Sequence, residues 1–231
     1  MGPHRLQSRS YGNRTALVQH LAAVVLTIAA LLGPIAARAA DDPVKIVALG
    51  DSLTAGYGLA GNLAFPAKLA AALKAKGIAA TVANAGVSGD TSTGGLERLD
   101  WSVPDGTQAV IVELGANDAL RGIDPALTEK AIDTILTRLQ ERKIPVLLAG
   151  MKAPRNMGAD YARSFDAIYP KLAATHAVIF YPFFLDGVAA DPKLNQGDGM
   201  HPNPAGVDVI VAGIMPQVEE LIARARNARG S

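Results

Sequence analysis

Four places in the 231-residue chain carry side chains or backbone groups suited to nucleophilic chemistry. Ser52 follows Gly50-Asp51 at the end of the apolar run Val44–Leu49. A serine there, at the carboxyl end of a strand, sits where open α/β sheets keep their ligands. Asp198 precedes His201 by three residues across Gly199. A carboxylate at that spacing can accept the Nδ1–H of the imidazole and leave Nε2 free to take a proton from a hydroxyl. Gly86 and Asn117 close two further strand-like runs. One offers a backbone N–H and the other a side-chain amide, the donors that a developing oxyanion requires. Each group also has a plainer reading, with Ser52 as a helix N-cap, Asp198 and His201 as a cap or cation ligand, Gly86 as a turn glycine and Asn117 as an Asx turn. The four together favour the chemical reading, because consecutive parallel strands bring their carboxyl ends to one edge.

The elements that must position these groups alternate regularly. Short apolar runs at 44–49, 78–83, 109–114, 145–149 and 177–181 read as strands. Between them lie helical patterns at 65–76, around 96–99, from Pro125 through Leu139, and at 161–174, the last interrupted or kinked near Pro170. A last helix after Asn203-Pro204 turns Val207, Ile210, Val211, Ile214, Val218 and Leu221 inward. In the helix capped by Asp124, Leu127, Ala131, Ile135, Leu136 and Leu139 form the inner stripe. Five β–α alternations without a second pattern predict one α/β domain built on a parallel sheet, with helices on both faces.

The first 39 residues read as a secretory signal peptide. Arg5, Arg9 and Arg14 precede an apolar run of 12 residues from Leu21 to Leu32, and Ala37-Arg38-Ala39 supplies a small-x-small cleavage pattern. That run is too short to span a bilayer, so no stable membrane anchor is expected after cleavage behind Ala39. Residues 40–231 then form the domain, exported to the periplasm or beyond. Removing the leader's four arginines from the 22 basic residues leaves 18 against 21 acidic ones, a net charge of about −3. No basic patch remains to argue for a nucleic-acid partner. The chain has no cysteine, which excludes disulfides and thiolate metal sites. Of its four histidines only His176 and His201 lie beyond the leader, too few for a three-histidine metal site, and no His-Glu-x-x-His pattern occurs. His176 falls at a helix-to-strand junction and reads as a surface turn residue.

Four blocks resemble, in order, those of the GDSL/SGNH hydrolases: Gly50-Asp51-Ser52-Leu53, Gly86 within Asn84–Thr91, Gly115-Ala116-Asn117-Asp118, and Asp198-Gly199-Met200-His201-Pro202. The likeness spans about residues 44–222 and is greatest to the arylesterase, thioesterase I and lysophospholipase L1 branch, which Gly89-Asp90-Thr91, Leu120-Arg121-Gly122 and Pro182-Phe183-Phe184 also resemble. Ala116, Ala119 and Gly58 depart from the residues common in that branch. The resemblance implies a flavodoxin-like α/β/α sandwich with a five-stranded parallel sheet. It also implies Ser52 as nucleophile, His201 as base, Asp198 as its orienter, and an oxyanion hole of the Ser52 N–H, the Gly86 N–H and the Asn117 side chain. No cofactor or metal is implied.

The expected activity is hydrolysis of a small acyl ester or thioester, with Met151, Met157, Tyr161, Phe183 and Leu185 as candidates for an apolar acyl pocket. A carbohydrate or peptidoglycan O-acetyl esterase would share the fold and triad. A periplasmic binding module would use the same crevice without turnover, although Asp51 in the first loop would repel a phosphate there.

Overall fold

In the computed structural model, residues 1–2 and 42–229 are described. The predicted signal peptide therefore lies outside the described residues. From Asp42 onward the chain forms one compact unit, which holds the sheet and its helices.

Five parallel strands, β1 (Val44–Gly50), β2 (Ala80–Gly86), β3 (Ala109–Glu113), β4 (Val146–Ala149) and β5 (Ile179–Tyr181), form one sheet in the order β2-β1-β3-β4-β5. β3 and β4 are buried at every residue and β1 at all but Lys45, as strands covered on both faces must be. The chain leaves β1 toward one edge and then works toward the other from β3 onward. This reversal makes the gap between the ends of β1 and β3 the expected ligand crevice.

The helices are α1 (Ser52–Ala55), α2 (Phe65–Ala75), α3 (Ser92–Glu97), α4 (Leu99–Ser102), α5 (Ala116–Leu120), α6 (Pro125–Glu141), α7 (Ala159–Asp166), α8 (Ile168–His176) and α9 (Pro204–Arg229). α2 packs with α9, whereas α6 packs with α3 and α8. With right-handed crossovers, the change of direction after β2 puts these two groups on opposite faces of the sheet. The six apolar residues predicted to face inward from α9 are all buried.

Several boundaries differ from the sequence reading, each for a physical reason. β2 does not stop at Ala83; Asn84, Ala85 and Gly86 pair with Ala48, Leu49 and Gly50, so sheet pairing overrides their turn preference. The interruption expected near Pro170 falls at Ala167, which separates two helices. The Pro170 ring crowds the carbonyl four residues back, at Asp166, where α7 ends. In α6 Leu127 is 57% exposed, while Thr128 is fully buried and donates its hydroxyl to Asp118 Oδ1 at 3.0 Å. One hydrogen bond thus turns that end of the helix away from the predicted stripe.

Candidate active site

β1 delivers Ser52 through a tight corner. A Cβ at Gly50 would lie 2.1 Å from Thr54 Oγ1 and 2.6 Å from Glu113 Oε2, so only glycine fits. Asp51 caps α1, its Oδ1 accepting from the Leu53 N–H at 3.0 Å, and Gly56 ends the helix in the left-handed region at φ +81°. Ser52 consequently occupies the first position of a short helix, mostly buried, with its hydroxyl at the sheet edge.

His201 arrives from the loop before α9. Its Nδ1 lies 2.6 Å from Asp198 Oδ2 and its Nε2 lies 2.9 Å from Ser52 Oγ. The carboxylate only accepts, which assigns the proton to Nδ1 and makes Nε2 the acceptor of the serine O–H. Asp198 Oδ1 also accepts from the backbone N–H groups of Met200 (2.9 Å) and His201 (3.0 Å). These two backbone bonds, followed by the imidazole, hold the Asp198 carboxyl down at about 2, so it is ionised at any ordinary pH. The loop is tied across the crevice by Gln196, whose Nε2 donates to Tyr57 O (2.7 Å) and Pro202 O (3.0 Å) while its backbone N–H donates to His201 O (2.8 Å). The Tyr57 ring lies against the imidazole with centroids 4.6 Å apart.

Asn117 begins just after β3, where Gly115 adopts φ +113° and a Cβ would come within 2.1 Å of the Tyr169 hydroxyl. Its Nδ2 donates to Asp51 Oδ2 at 3.1 Å and to Asp90 O at 2.9 Å. Asp51 therefore braces both the helix that carries Ser52 and the candidate oxyanion donor, a role not read from the sequence. Burial pushes the Asp51 carboxyl up to about 6, opposed by the bonds from the Leu53 N–H and Asn117. Behind it Glu113 is fully buried, its carboxyl raised well above the usual range by burial and by Asp51. Glu113 Oε2 accepts from the Thr54 hydroxyl at 2.7 Å.

Gly86 departs from expectation. Its N–H donates to Asn84 Oδ1 at 2.9 Å instead of standing open. The absent side chain serves close packing, since a Cβ there would lie 2.2 Å from Ala55 N of α1. The close approach to α1 is not visible without the β1–β2 register, whereas the Asn84 bond is a local Asx turn. Ser52, His201, Asn117, Met151, Phe183 and Leu185 line a cleft of about 660 Å³, which Gly86 does not line. Two of the five predicted acyl-pocket residues are elsewhere: the Tyr161 hydroxyl donates to Ile123 O at 2.8 Å, and Met157 approaches Gly122. A more open groove of about 780 Å³ between α2 and α9 carries no serine or histidine.

His176 is not a surface turn residue. It ends α8, with only 9% of its side chain exposed, and its Nε2 lies 2.6 Å from Asp133 Oδ1.

A hydroxyl, imidazole and ionised carboxylate in series, facing an apolar cleft with an amide alongside, can perform acyl transfer. Residues 48–209 match the GDSL-like lipase/acylhydrolase family. The chain is 39% identical over 187 residues to the thioesterase 1/protease 1/lysophospholipase L1 of Escherichia coli K12, covering 80% of this chain and 87% of that protein. It is 38% identical over 164 residues to an arylesterase of Vibrio mimicus, covering 69% and 80% respectively. The crystal structure of AlinE4, an SGNH-hydrolase family esterase, matches with a TM-score of 0.66 at 48% identity, covering 78% of this chain and 96% of AlinE4. By sequence and by fold alike, this chain belongs to the GDSL-like lipase/acylhydrolase family, the SGNH hydrolases, and is an esterase-type enzyme.

Proposed function

We propose that the chain is an exported serine esterase that cleaves aryl and short-to-medium acyl esters, with acyl thioesters and lysophospholipids as further substrates, through an acyl-enzyme on Ser52. One observation carries this reading: Ser52 Oγ, His201 Nε2, His201 Nδ1 and Asp198 Oδ2 form a continuous relay at 2.9 and 2.6 Å, opening on an apolar cleft. Export rests on the leader pattern of residues 1–39.

In the first half-reaction Ser52 Oγ attacks the acyl carbonyl as its proton passes to His201 Nε2. The resulting imidazolium is held by ionised Asp198 and returns the proton to the departing alcohol or thiol. Water then attacks the acyl-serine, activated by the same nitrogen. The oxyanion is met by the Ser52 N–H, by Asn117 Nδ2 as one of its two N–H groups turns from the longer bond to Asp51 Oδ2, and by the Gly86 N–H once Asn84 Oδ1 releases it. Met151, Phe183 and Leu185 shelter the acyl chain.

A fluorophosphonate probe tests the assignment. One label per chain is expected, and none in Ser52→Ala. An unlabelled wild type, or a labelled variant, would overturn it. A chain-length series of p-nitrophenyl esters beside palmitoyl-CoA and a lysophospholipid then ranks the substrates, with the shorter aryl esters expected to turn over fastest.

A further inference from the structure

Arg98 lies between α3 and α4, outside the cleft, with 6% of its side chain exposed. A guanidinium so deeply buried needs partners for its donors, and here the partners are parts of the site's frame. Nη2 donates to Gly50 O at 2.7 Å, two residues before Ser52. Nη1 donates to Ala85 O at 2.7 Å, the carbonyl of the peptide unit whose N–H belongs to Gly86, and to Ser102 Oγ at 3.0 Å. Nε donates to Asp90 Oδ2 at 2.5 Å, and the carbonyl of that same Asp90 accepts from Asn117 Nδ2. One planar fork therefore joins the end of β1, the end of β2 and the loop that aims Asn117.

We propose that Arg98 is a positioning residue for the oxyanion side of the site, fixing through Gly50, Ala85 and Asp90 the place where Asn117 presents its amide. This rests on the acyl-transfer reading of the site, in which Asn117 meets the oxyanion. Its physical basis is preorganisation: a donor stabilises the tetrahedral state only if it is already in place when charge develops. Asn117 borrows its orientation from Asp51 on one side and Asp90 on the other. Only the Asp90 side is anchored by a charged group that also holds both strand ends. A lysine keeps the charge opposite Asp90 but cannot reach three acceptors at fixed angles, because it lacks the rigid fork.

The test is a double-mutant cycle on p-nitrophenyl ester hydrolysis. Arg98→Lys, checked for folding by circular dichroism, should lower kcat by about 10–100-fold with KM within about threefold. Arg98→Lys/Asn117→Ala should then be no more than about twofold slower than Asn117→Ala alone, because both changes remove one interaction. The pH at which kcat rises to half its plateau should stay where it is in the wild type, since the imidazole side is untouched. Asp90→Asn, which keeps a side-chain acceptor for Nε and weakens the same anchor, should lower kcat less, by about 5-fold, and carries the test if Arg98→Lys does not fold. Wild-type kcat in these variants beside a slow Asn117→Ala overturns the proposal. So do losses that multiply in the double variant, which would mark a general loosening. Wild-type turnover in Asn117→Ala itself would instead remove the oxyanion reading on which the proposal stands.

Discussion

Among the described residues two histidine–carboxylate pairs share the same 2.6 Å contact, His201 with Asp198 and His176 with Asp133. They differ in what the other ring nitrogen faces. His201 Nε2 faces the hydroxyl of Ser52 in a cleft. His176 Nδ1 faces Gln140 Oε1 at 2.9 Å, and that amide is held in place because its Nε2 donates to His176 O at 2.6 Å. Both nitrogens of His176 thus lie against side-chain oxygens of α6, and the ring serves as a staple between α6 and α8. The pairing of an imidazole with a carboxylate is therefore not itself the chemical signal. What matters is a second nitrogen left facing a reactive group.

The largest effect should separate the two rings outright. His201→Ala is expected to lower kcat for p-nitrophenyl esters by about 10⁴-fold or more while leaving the circular dichroism spectrum unchanged. His176→Ala should keep kcat within about twofold. Comparable losses in both variants would show that the activity depends on general packing and not on the Ser52–His201 contact.

The carboxylates extend the contrast. Asp198→Asn should lower kcat by about 10³–10⁴-fold, because an amide neither fixes the Nδ1–H tautomer nor stabilises the imidazolium. Its pH signature has a definite sign. The Asp198 carboxyl is lowered from 3.8 to about 2 in the fold, chiefly by the His201 and Met200 backbone N–H groups. Its contribution to stability is therefore present above about pH 4 and is lost as pH falls through 2. Thermal melts of wild type and Asp198→Asn should accordingly draw together over that interval. A gap that stays constant would mean that the loop does not hold the carboxylate as its hydrogen bonds indicate.

How much of the fold and the site was legible in the sequence depends on the range of the forces involved. The strand cores were readable because β1, β3 and β4 are short apolar runs buried on both faces. Ser52, Asp198 and His201 were readable because chemistry-bearing residues are scarce beyond the leader, and Asp198 reaches His201 within one local turn. Tertiary placement hid the rest. Nothing local to Asn84–Gly86 announces that these residues pair with β1, although the Asn84 Oδ1 bond to the Gly86 N–H is itself a local Asx turn. The buried polar framework of Asp51, Arg98 and Glu113 includes bonds between residues 48 to 66 positions apart in the chain. His176 was read as exposed because Asp133 and Gln140 lie 43 and 36 residues away on another helix.

The smallest effect tests the structural half of the comparison. His176→Ala removes the contacts of both ring nitrogens to α6, but the backbone carbonyl that accepts from Gln140 remains. The ring's hydrogen bonding and packing against α6 together contribute on the order of 1–2 kcal/mol, and Asp133 is exposed enough for water to solvate it once the imidazole is gone. The variant should therefore lose about 1–2 kcal/mol of unfolding free energy in urea, with an unchanged m-value and normal fluorophosphonate labelling of Ser52. Asp133→Asn leaves an acceptor facing Nε2 and should lose less. Slowed labelling in His176→Ala would connect the α6–α8 staple to the crevice and end the separation of roles. Labelling at the wild-type rate, with the stability loss confined to the melt, identifies this pair as a structural tie.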